Sequence, residues 1–385
     1  MIYEPREDSY LLAKYVKKYA KGRVLDIGTG SGIQAMTAAK LNKVKSVLAI
    51  DIQKEVIEHC RQTIKSRKIS FRCSNLFENV SGKFDAIIFN PPYLPEDVKL
   101  KDITIDGGKK GFEVLERFFD SVNGFLSSDG IILIVFSSLT NKDKVNEFVS
   151  GHLLEYKELE MQRIFFEELY VYLIKKSEVL KMLEKKKIAK IKRLAKGHRG
   201  LIFTGMLKNK KVAVKIQRKD IGTSGTVNKE AKGVKLLNRH GMGPKFLFAG
   251  KDYFAYEFVE GVFIPEFLEK AIKADIIKVL KDVFAQCYKM DTLGLNKEEM
   301  HHPYKHIIVG KNNKATLIDF ERLKKTRVEN SFNVTQFCQY VTSSKFRALV
   351  SGKIIIDEKR TRKIAAEYKK NKTKKNFNDI LDNIK

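Results

Sequence analysis

Proline is scarce in this chain, with 7 in 385 residues, and so is cysteine, with 4. Few prolines alongside 43% hydrophobic residues exclude a disordered or proline-rich scaffold and point to packed globular domains. Cys60, Cys73, Cys287 and Cys338 are scattered without a Cys-x-x-Cys pair. That spacing argues against a disulfide framework or a zinc site built from this chain alone, and fits reduced thiols in a cytosol. No apolar run approaches the roughly 18–20 residues that a membrane span needs; the longest, Ile131 to Phe136, suits a buried strand. The opening Met-Ile-Tyr-Glu-Pro-Arg-Glu-Asp is too polar and acidic for a secretory signal, so a cytoplasmic protein without membrane contact is expected. The length allows two or three domains with complete cores.

Positive charge is what the chain has in excess, and it is unevenly placed. Of the formal net charge of +28, residues 1–177 carry +3 (27 Lys and Arg against 24 Asp and Glu). Residues 178–385 carry +25 (47 against 22). The asymmetry divides the chain into two domains and turns the second toward a polyanion such as ribosomal RNA, tRNA or nucleotide phosphates. A solvated lysine-rich surface is the plainer alternative; the tail Lys359 to Lys375 favours nucleic-acid contact.

Strand and helix signals alternate through the first half. Strands are expected at Arg23 to Ile27, Ser46 to Ile50, Ser70 to Cys73, Ala86 to Phe89, Gly130 to Phe136 and Leu169 to Lys175. Helices fall between them, as at Ser31 to Leu41 and Lys54 to Arg67. This alternation predicts an α/β domain with a doubly wound, mostly parallel sheet over residues 1–177. The charged stretch 178–196 is expected as a basic helical linker. Residues 197–385 open with short β-like runs (Leu201 to Leu207, Lys211 to Gln217, Tyr253 to Phe258) and turn helical from Pro265, with a strand pair near Ile307 and Thr316. A β lobe over 197–260 followed by a helical lobe over 261–385 is the α+β pattern this predicts.

The chemistry of the first half is concentrated at two strand ends. Ala86 to Phe89 stops at Asn90-Pro-Pro-Tyr93, and two prolines without N–H groups cannot continue a ladder. Asn90 is therefore held at the carboxyl edge of the sheet beside an aromatic ring, an arrangement suited to chemistry on a planar amino group. An amide or aromatic amine nitrogen is a poor nucleophile because its lone pair is delocalised. If the Asn90 side-chain oxygen and the Pro91 carbonyl accept its two N–H bonds, the lone pair is aimed at a methyl donor, while Tyr93 packs on the plane. Val24-Leu-Asp-Ile-Gly-Thr-Gly-Ser-Gly32 puts Gly28, Gly30 and Gly32 between a strand and a helix, where a backbone can turn sharply against a ligand. The G-x-G-x-G spacing, and Asp26 placed to meet a cationic donor, favour S-adenosylmethionine over a dinucleotide. Asp51, ending the second strand, is placed to accept both ribose hydroxyls.

With these residues in view, 1–177 resembles a HemK/PrmC-type protein glutamine methyltransferase of the archaeal and eukaryotic branch. The resemblance rests on Tyr3-Glu-Pro-Arg-Glu-Asp-Ser9, Leu25 to Gly32, Asn90 to Tyr93, and Asp106-Gly-Gly-Lys-Lys-Gly111 with Glu113 and Arg117. It implies a Rossmann-like methyltransferase in which Ser9, Asp26, Gly28 and Asp51 contact S-adenosylmethionine and Asn90 holds the substrate glutamine amide. The acidic residue such proteins carry in the Ser74-Asn-Leu76 segment is Asn75 here, whose oxygen still accepts from the adenine amino group. The implied substrate is the Gly-Gly-Gln loop of a class I release factor, and relatives work with a small zinc-binding activator subunit. Methylation of an adenine or cytosine amino group in nucleic acid uses the same turn and is the alternative, with the basic half as binding module.

In the second half, Lys215 lies on the strand Val212 to Gln217, after the glycine-containing Gly197 to Gly200, and Glu230 follows in the helical pattern Asn228 to Asn238. This order suits a lysine that grips nucleotide phosphates and is oriented by a helical glutamate. Asp319 follows a strand in Thr316 to Arg322, where a magnesium-binding acid sits. With Tyr256 to Gly261 as hinge, the half resembles a small, atypical, bilobal protein kinase near the RIO-like lineage, which implies ATP and Mg²⁺. The catalytic loop departs from that pattern. In Lys297 to His306 either His301 or, in a register with two inserted residues, Glu299 occupies the place of the base. An active kinase or ATPase, a nucleotide-binding pseudokinase and a basic scaffold all remain open.

Overall fold

Strands buried on both faces need helices above and below them, and the first half of the chain supplies both layers. The structure, a computed structural model, describes residues 3–94, 107–165, 167–196, 200–218 and 225–384. It divides into two compact units, Met1–Lys187 and Ile188–Lys385. The first contains α1 (Glu7–Tyr19), β1 (Gly22–Ile27), α2 (Ile33–Ala39), β2 (Val44–Asp51), α3 (Lys54–Thr63), β3 (Ile69–Cys73) and β4 (Phe84–Phe89). It continues through α4 (Glu113–Val122), β5 (Leu126–Ser137), α5 (Lys142–Gly151), β6 (Leu154–Ile164), β7 (Glu167–Lys176) and α6 (Glu178–Lys185).

The sheet order is β3-β2-β1-β4-β5-β7-β6. The pairings from β3 to β5 are parallel, and β7 runs antiparallel to both β5 and β6. Chain order reverses between β1 and β4, where Ile27 and Phe89 are partners. The loops that leave these two strands therefore open side by side at the carboxyl edge, the usual ligand position in such sheets. On one face, Leu12 and Val16 of α1 pack with Val24, Ala86, Leu133 and Val171. On the other, the fully buried Phe118 of α4 sets its ring 4.9 Å from that of Phe89. Burying such a side chain contributes about 1.5–3 kcal/mol, so α4 clamps the strand that delivers Asn90.

The second unit begins with β8 (Ala189–Lys196), β9 (Gly200–Leu207), β10 (Lys210–Gln217), α7 (Thr226–Asn238), β11 (Phe246–Ala249) and β12 (Tyr253–Glu257). These strands form an antiparallel sheet in the order β11-β12-β10-β9-β8. A mainly helical region follows: β13 (Val262–Phe263), α8 (Ile264–Lys270), α9 (Lys273–Thr292), β14 (Leu295–Lys297), β15 (Ile307–Val309), β16 (Ala315–Leu317) and β17 (Leu323–Lys325). It ends with α10 (Asn333–Val341), α11 (Ser344–Leu349), α12 (Glu358–Lys370) and α13 (Lys374–Asp382). Its core is centred on Val279, Val283, Phe284, Phe337 and Tyr340.

The basic helical linker expected over 178–196 is not one helix. Only Glu178–Lys185 is helical, and Ala189–Lys196 is the edge strand β8 paired with β9. Two register shifts in that pairing, between Ala189 and Lys192 and between Arg193 and Ala195, break the period-two alternation by which a strand is recognised. Among the described residues no helix is long and apolar enough to cross a membrane.

Candidate active site

The glycine turn after β1 works through its backbone. Gly28, Gly30 and Gly32 have φ of 63°, 51° and 81°, where an L side chain costs about 1–2 kcal/mol. The turn borders a cavity of about 460 Å³ that is also lined by Asp8, Asp51, Asn75, Asn90 and Tyr93.

Asp26 corrects the expectation that it meets the donor. It is buried and does not line this cavity. Its Oδ2 instead accepts from Thr29 Oγ1 at 2.7 Å and from the Ala35 N–H at 3.1 Å, tying the turn to α2. Burial pushes its carboxyl up to about 7, against the two hydrogen bonds that pull it down. An acid raised above its unfolded value of about 4 binds more protons folded than unfolded. Its contribution to stability therefore falls as pH rises from about 4 to about 7 and levels off above. Asp26→Asn, which keeps an acceptor for both bonds, is expected to flatten that slope in denaturant titrations across this range.

Asp51 fits its expected place at the end of β2. It is buried, with Oδ2 accepting from the Gly30 N–H (3.1 Å) and Oδ1 from the Gln53 N–H (3.0 Å). Each oxygen keeps a lone pair for a further donor. Asn75 also borders the cavity, but its Oδ1 accepts from an Arg117 guanidinium N–H at 2.6 Å and its Nδ2 donates to Glu78 Oε1 at 2.9 Å. Asn75 Oδ1 accepts one bond within the protein and keeps a second lone pair for a further donor.

Asn90 is fixed from behind. Its Nδ2 donates to Asp8 Oδ2 at 2.9 Å and lies 3.4 Å from Ser9 Oγ, while its buried Oδ1 has no hydrogen-bond partner. The amide orientation is therefore decided by its surroundings, and an acceptor is left for a donor. Ser9 is buried beside it, with its carbonyl receiving Gln34 Nε2 at 2.8 Å. Pro91 and Tyr93 line the cavity, and the Tyr93 hydroxyl lies 3.4 Å from Asp8 Oδ2. Burial holds that phenol well above its ordinary pKa, reinforced by Asp8 and Glu167. Gly107 approaches so closely that a Cβ there would lie 2.8 Å from the Pro92 carbonyl oxygen. Asp106, the first residue of that block, lies outside the described residues, as do 197–199 of the glycine-containing stretch.

In the second unit, Lys215, Glu230 and Asp319 come together. Lys215 Nζ is 2.6 Å from Glu230 Oε2, 3.2 Å from Asp319 Oδ1 and 3.8 Å from Glu321 Oε2. Burial alone would lower the Lys215 pKa, but Glu230 and Asp319 outweigh it and hold the ammonium well above its usual value. Carboxylate oxygens of Glu230, Asp319 and Glu321 lie within 4.8 Å of one another, a spacing that a divalent cation can bridge. His306 joins the cluster, with Nε2 3.5 Å from Glu299 Oε2 and Nδ1 3.8 Å from Asp319 Oδ2. Glu299 therefore belongs to this cluster, whereas His301 packs against the His302 ring.

Three contributors escape sequence reading. Asp8 is visible only as part of a motif. Glu167 brings a buried Oε2 without a hydrogen-bond partner to the cavity wall. Lys297 is buried and donates to the Asp319 carbonyl, holding a residue whose φ is 58°. Burial pushes its pKa down to about 8. A lysine buried among acids is recognisable only once the fold has assembled them.

Comparisons with known proteins bear on this arrangement. Residues 7–165 match the family described as methyltransferase small domain. A Methanocaldococcus jannaschii protein, whose name provisionally assigns it N5-glutamine methylation, is 41% identical over 154 residues, covering 38% of this chain and 78% of that protein. The ribosomal RNA small subunit methyltransferase C of Serratia proteamaculans is 31% identical over 135 residues, covering 34% of this chain and 39% of its own length. The release factor glutamine methyltransferase of Streptococcus pneumoniae is 29% identical over 123 residues, covering 29% of this chain and 44% of its own.

Proposed function

This chain belongs to the HemK-type small-domain methyltransferases, and from that premise we propose that it methylates the side-chain amide nitrogen of a protein glutamine, using S-adenosylmethionine. One observation carries the reading: Asn90 Oδ1 is buried, unpartnered and borders the cavity, while Nδ2 of the same amide is fixed by Asp8. The residues fit the donor. The positive-φ turn allows close backbone approach, and Asp51, a buried carboxylate on the cavity wall, keeps acceptor capacity for ribose hydroxyls. When bound, the donor would supply a methyl group on cationic sulfur, and the amide nitrogen that takes the methyl would release one proton to water.

The protein's part is positioning. Asn90 Oδ1 and the Pro91 carbonyl accept the two amide N–H bonds and aim the nitrogen lone pair, and Tyr93 packs on the amide plane. No general base is needed, because the proton leaves only after the nitrogen is cationic. The name of the streptococcal relative supports a release factor as the protein that carries the glutamine, and the family resemblance implies a class I factor with its Gly-Gly-Gln loop. Incubation with labelled donor and either release factor or ribosomal RNA, followed by mass spectrometry, should give N5-methylglutamine in the factor. Label on RNA alone would overturn the reading in favour of nucleic-acid methylation, the substrate class named for the Serratia relative. We extend the reading to a small zinc-binding partner seated on β3, which lies at the sheet edge and, among the described residues, pairs only with β2. A single chain that is soluble and fully active alone would sink that extension.

For the second unit we propose ATP–Mg²⁺ binding at Lys215 and Asp319, with Glu230 orienting the lysine and Glu299 the acid nearest the place of a base. The 2.6 Å Lys215–Glu230 pair beside an acid cluster supports it. Lys215→Ala is expected to weaken ATP–Mg²⁺ binding about 10- to 100-fold, the range for losing a hydrogen bond to a charged group. Calorimetry reads this directly, and unchanged affinity would leave the unit as a basic scaffold, with RNA the polyanion to try next.

A further inference from the structure

Asp8 is a buried carboxylate, 4% exposed, whose hydrogen-bond partners among the described residues are all neutral. Tyr3 Oη donates to both of its oxygens (3.0 and 2.9 Å), and the Ser9 N–H (2.6 Å) and Ser9 Oγ (3.2 Å) approach Oδ1. Asn90 Nδ2 (2.9 Å) and Tyr93 Oη (3.4 Å) approach Oδ2. Three hydroxyls, one amide and one backbone N–H solvate the anion, and none of them cancels its charge. Burying a charge without a counter-ion is costly, so its position calls for a reason. The cavity that Asp8 lines offers one: the proposed reaction develops positive charge on the substrate nitrogen held by Asn90.

We propose that Asp8 is a positioning residue of methyl transfer, the anionic end of a hydrogen-bond relay running from its Oδ2 through the Asn90 amide to the substrate N–H. The inference rests on the methyl-transfer reading above and adds a residue to it. An amide whose N–H₂ faces a carboxylate carries more negative charge on its oxygen, because linked hydrogen bonds polarise one another. Asn90 Oδ1 is thereby a stronger acceptor, and the gain grows as the substrate nitrogen becomes cationic. Interactions that strengthen only in the transition state raise kcat rather than lower KM. The same contact prevents the Asn90 amide from rotating to offer its N–H₂ group, which would repel the substrate donors.

The test is a kinetic split with a double-mutant cycle, run on whichever acceptor the wild-type protein methylates. Asp8→Asn is expected to lower kcat about 10- to 100-fold, the loss typical when an outer hydrogen-bond partner is removed. Acceptor KM and calorimetric donor Kd should stay within about twofold. In an Asn90→Ala background the same substitution should cost little more, because the relay is already cut. Asp8→Glu, which keeps the charge, should recover part of kcat. Unchanged kcat, a loss matched by donor Kd, or an undiminished loss in the Asn90→Ala background would each overturn the proposal. If Asp8→Asn fails to fold, Asp8→Glu decides: a displaced charge must still lower kcat with donor Kd unchanged, and full kcat overturns the relay. Methylation of adenine instead of glutamine would remove the proposed substrate while leaving the relay measurable on the new acceptor.

Discussion

Asn90→Ala is expected to lower kcat for methyl transfer by about a hundredfold to a thousandfold, the size of effect seen when one preorganised hydrogen-bonding group is removed from an active site. Donor affinity should hardly change. Asn90 stands at the end of β4, clamped by α4 through Phe89 and Phe118, while the glycine turn and Asp51 belong to β1 and β2. The elements proposed to bind the donor and to hold the acceptor are therefore different segments, and a small side chain at 90 leaves the first intact. The truncation removes an unpartnered oxygen, so little folded-state bonding is lost apart from the Asp8 and Ser9 contacts of Nδ2. Single-turnover transfer with labelled donor measures the chemical step, and calorimetry measures donor binding. A fall in donor affinity equal to the fall in rate would mean that Asn90 serves the donor rather than the acceptor.

Asp291→Ala is expected to destabilise the second unit by about 3–5 kcal/mol, enough to unfold it under mild conditions. The carboxylate near the end of α9 is fully buried and receives five donors. They are Ser331 Oγ at 2.8 Å, the Asn333 N–H at 2.9 Å, Asn333 Nδ2 at 2.8 Å, the Val334 N–H at 3.2 Å and Tyr368 Oη at 3.2 Å. It thereby ties α9 to the start of α10 and to α12. Alanine leaves these donors in an apolar interior, where each unsatisfied group costs about 1–3 kcal/mol. Denaturant unfolding should show the loss in the transition of the second unit, with methyl transfer by the first retained. Loss of both together would show that the units do not unfold independently.

What could be read from the sequence follows physical lines. Runs such as Ala86 to Phe89 and Gly130 to Phe136 are apolar on both faces because helices cover both, and the sheet places them at β4 and β5. The edge strand β6, Leu-Glu-Tyr-Lys-Glu-Leu-Glu-Met-Gln-Arg-Ile, is largely exposed and lacks that signal. β8 is hidden for a related reason, its bulges erasing the alternation. At the site, Asn90 and Asp51 are legible because strand ends and breakers fix their place. The inward turn of Asp26 depends on which side of the glycine turn α2 packs, a tertiary fact. Asp8 and Asn90 are 82 positions apart, so the contact that sets the Asn90 amide has no local trace.

The fixed orientation of that amide has a bearing on the age of the substrate. Glutamine loses its amide nitrogen slowly to hydrolysis, and the resulting glutamate is nearly its equal in shape. A cavity that judged size alone would accept both. On the proposed reaction Asn90 presents an oxygen with Asp8 behind its amide, so at that point a carboxylate would meet an acceptor and a negative charge rather than a donor. If the proposed reaction is the right one, the pocket is also a check on chemical integrity: a protein whose critical glutamine has deamidated would pass through unmarked, and the methyl group would certify that the amide is still there.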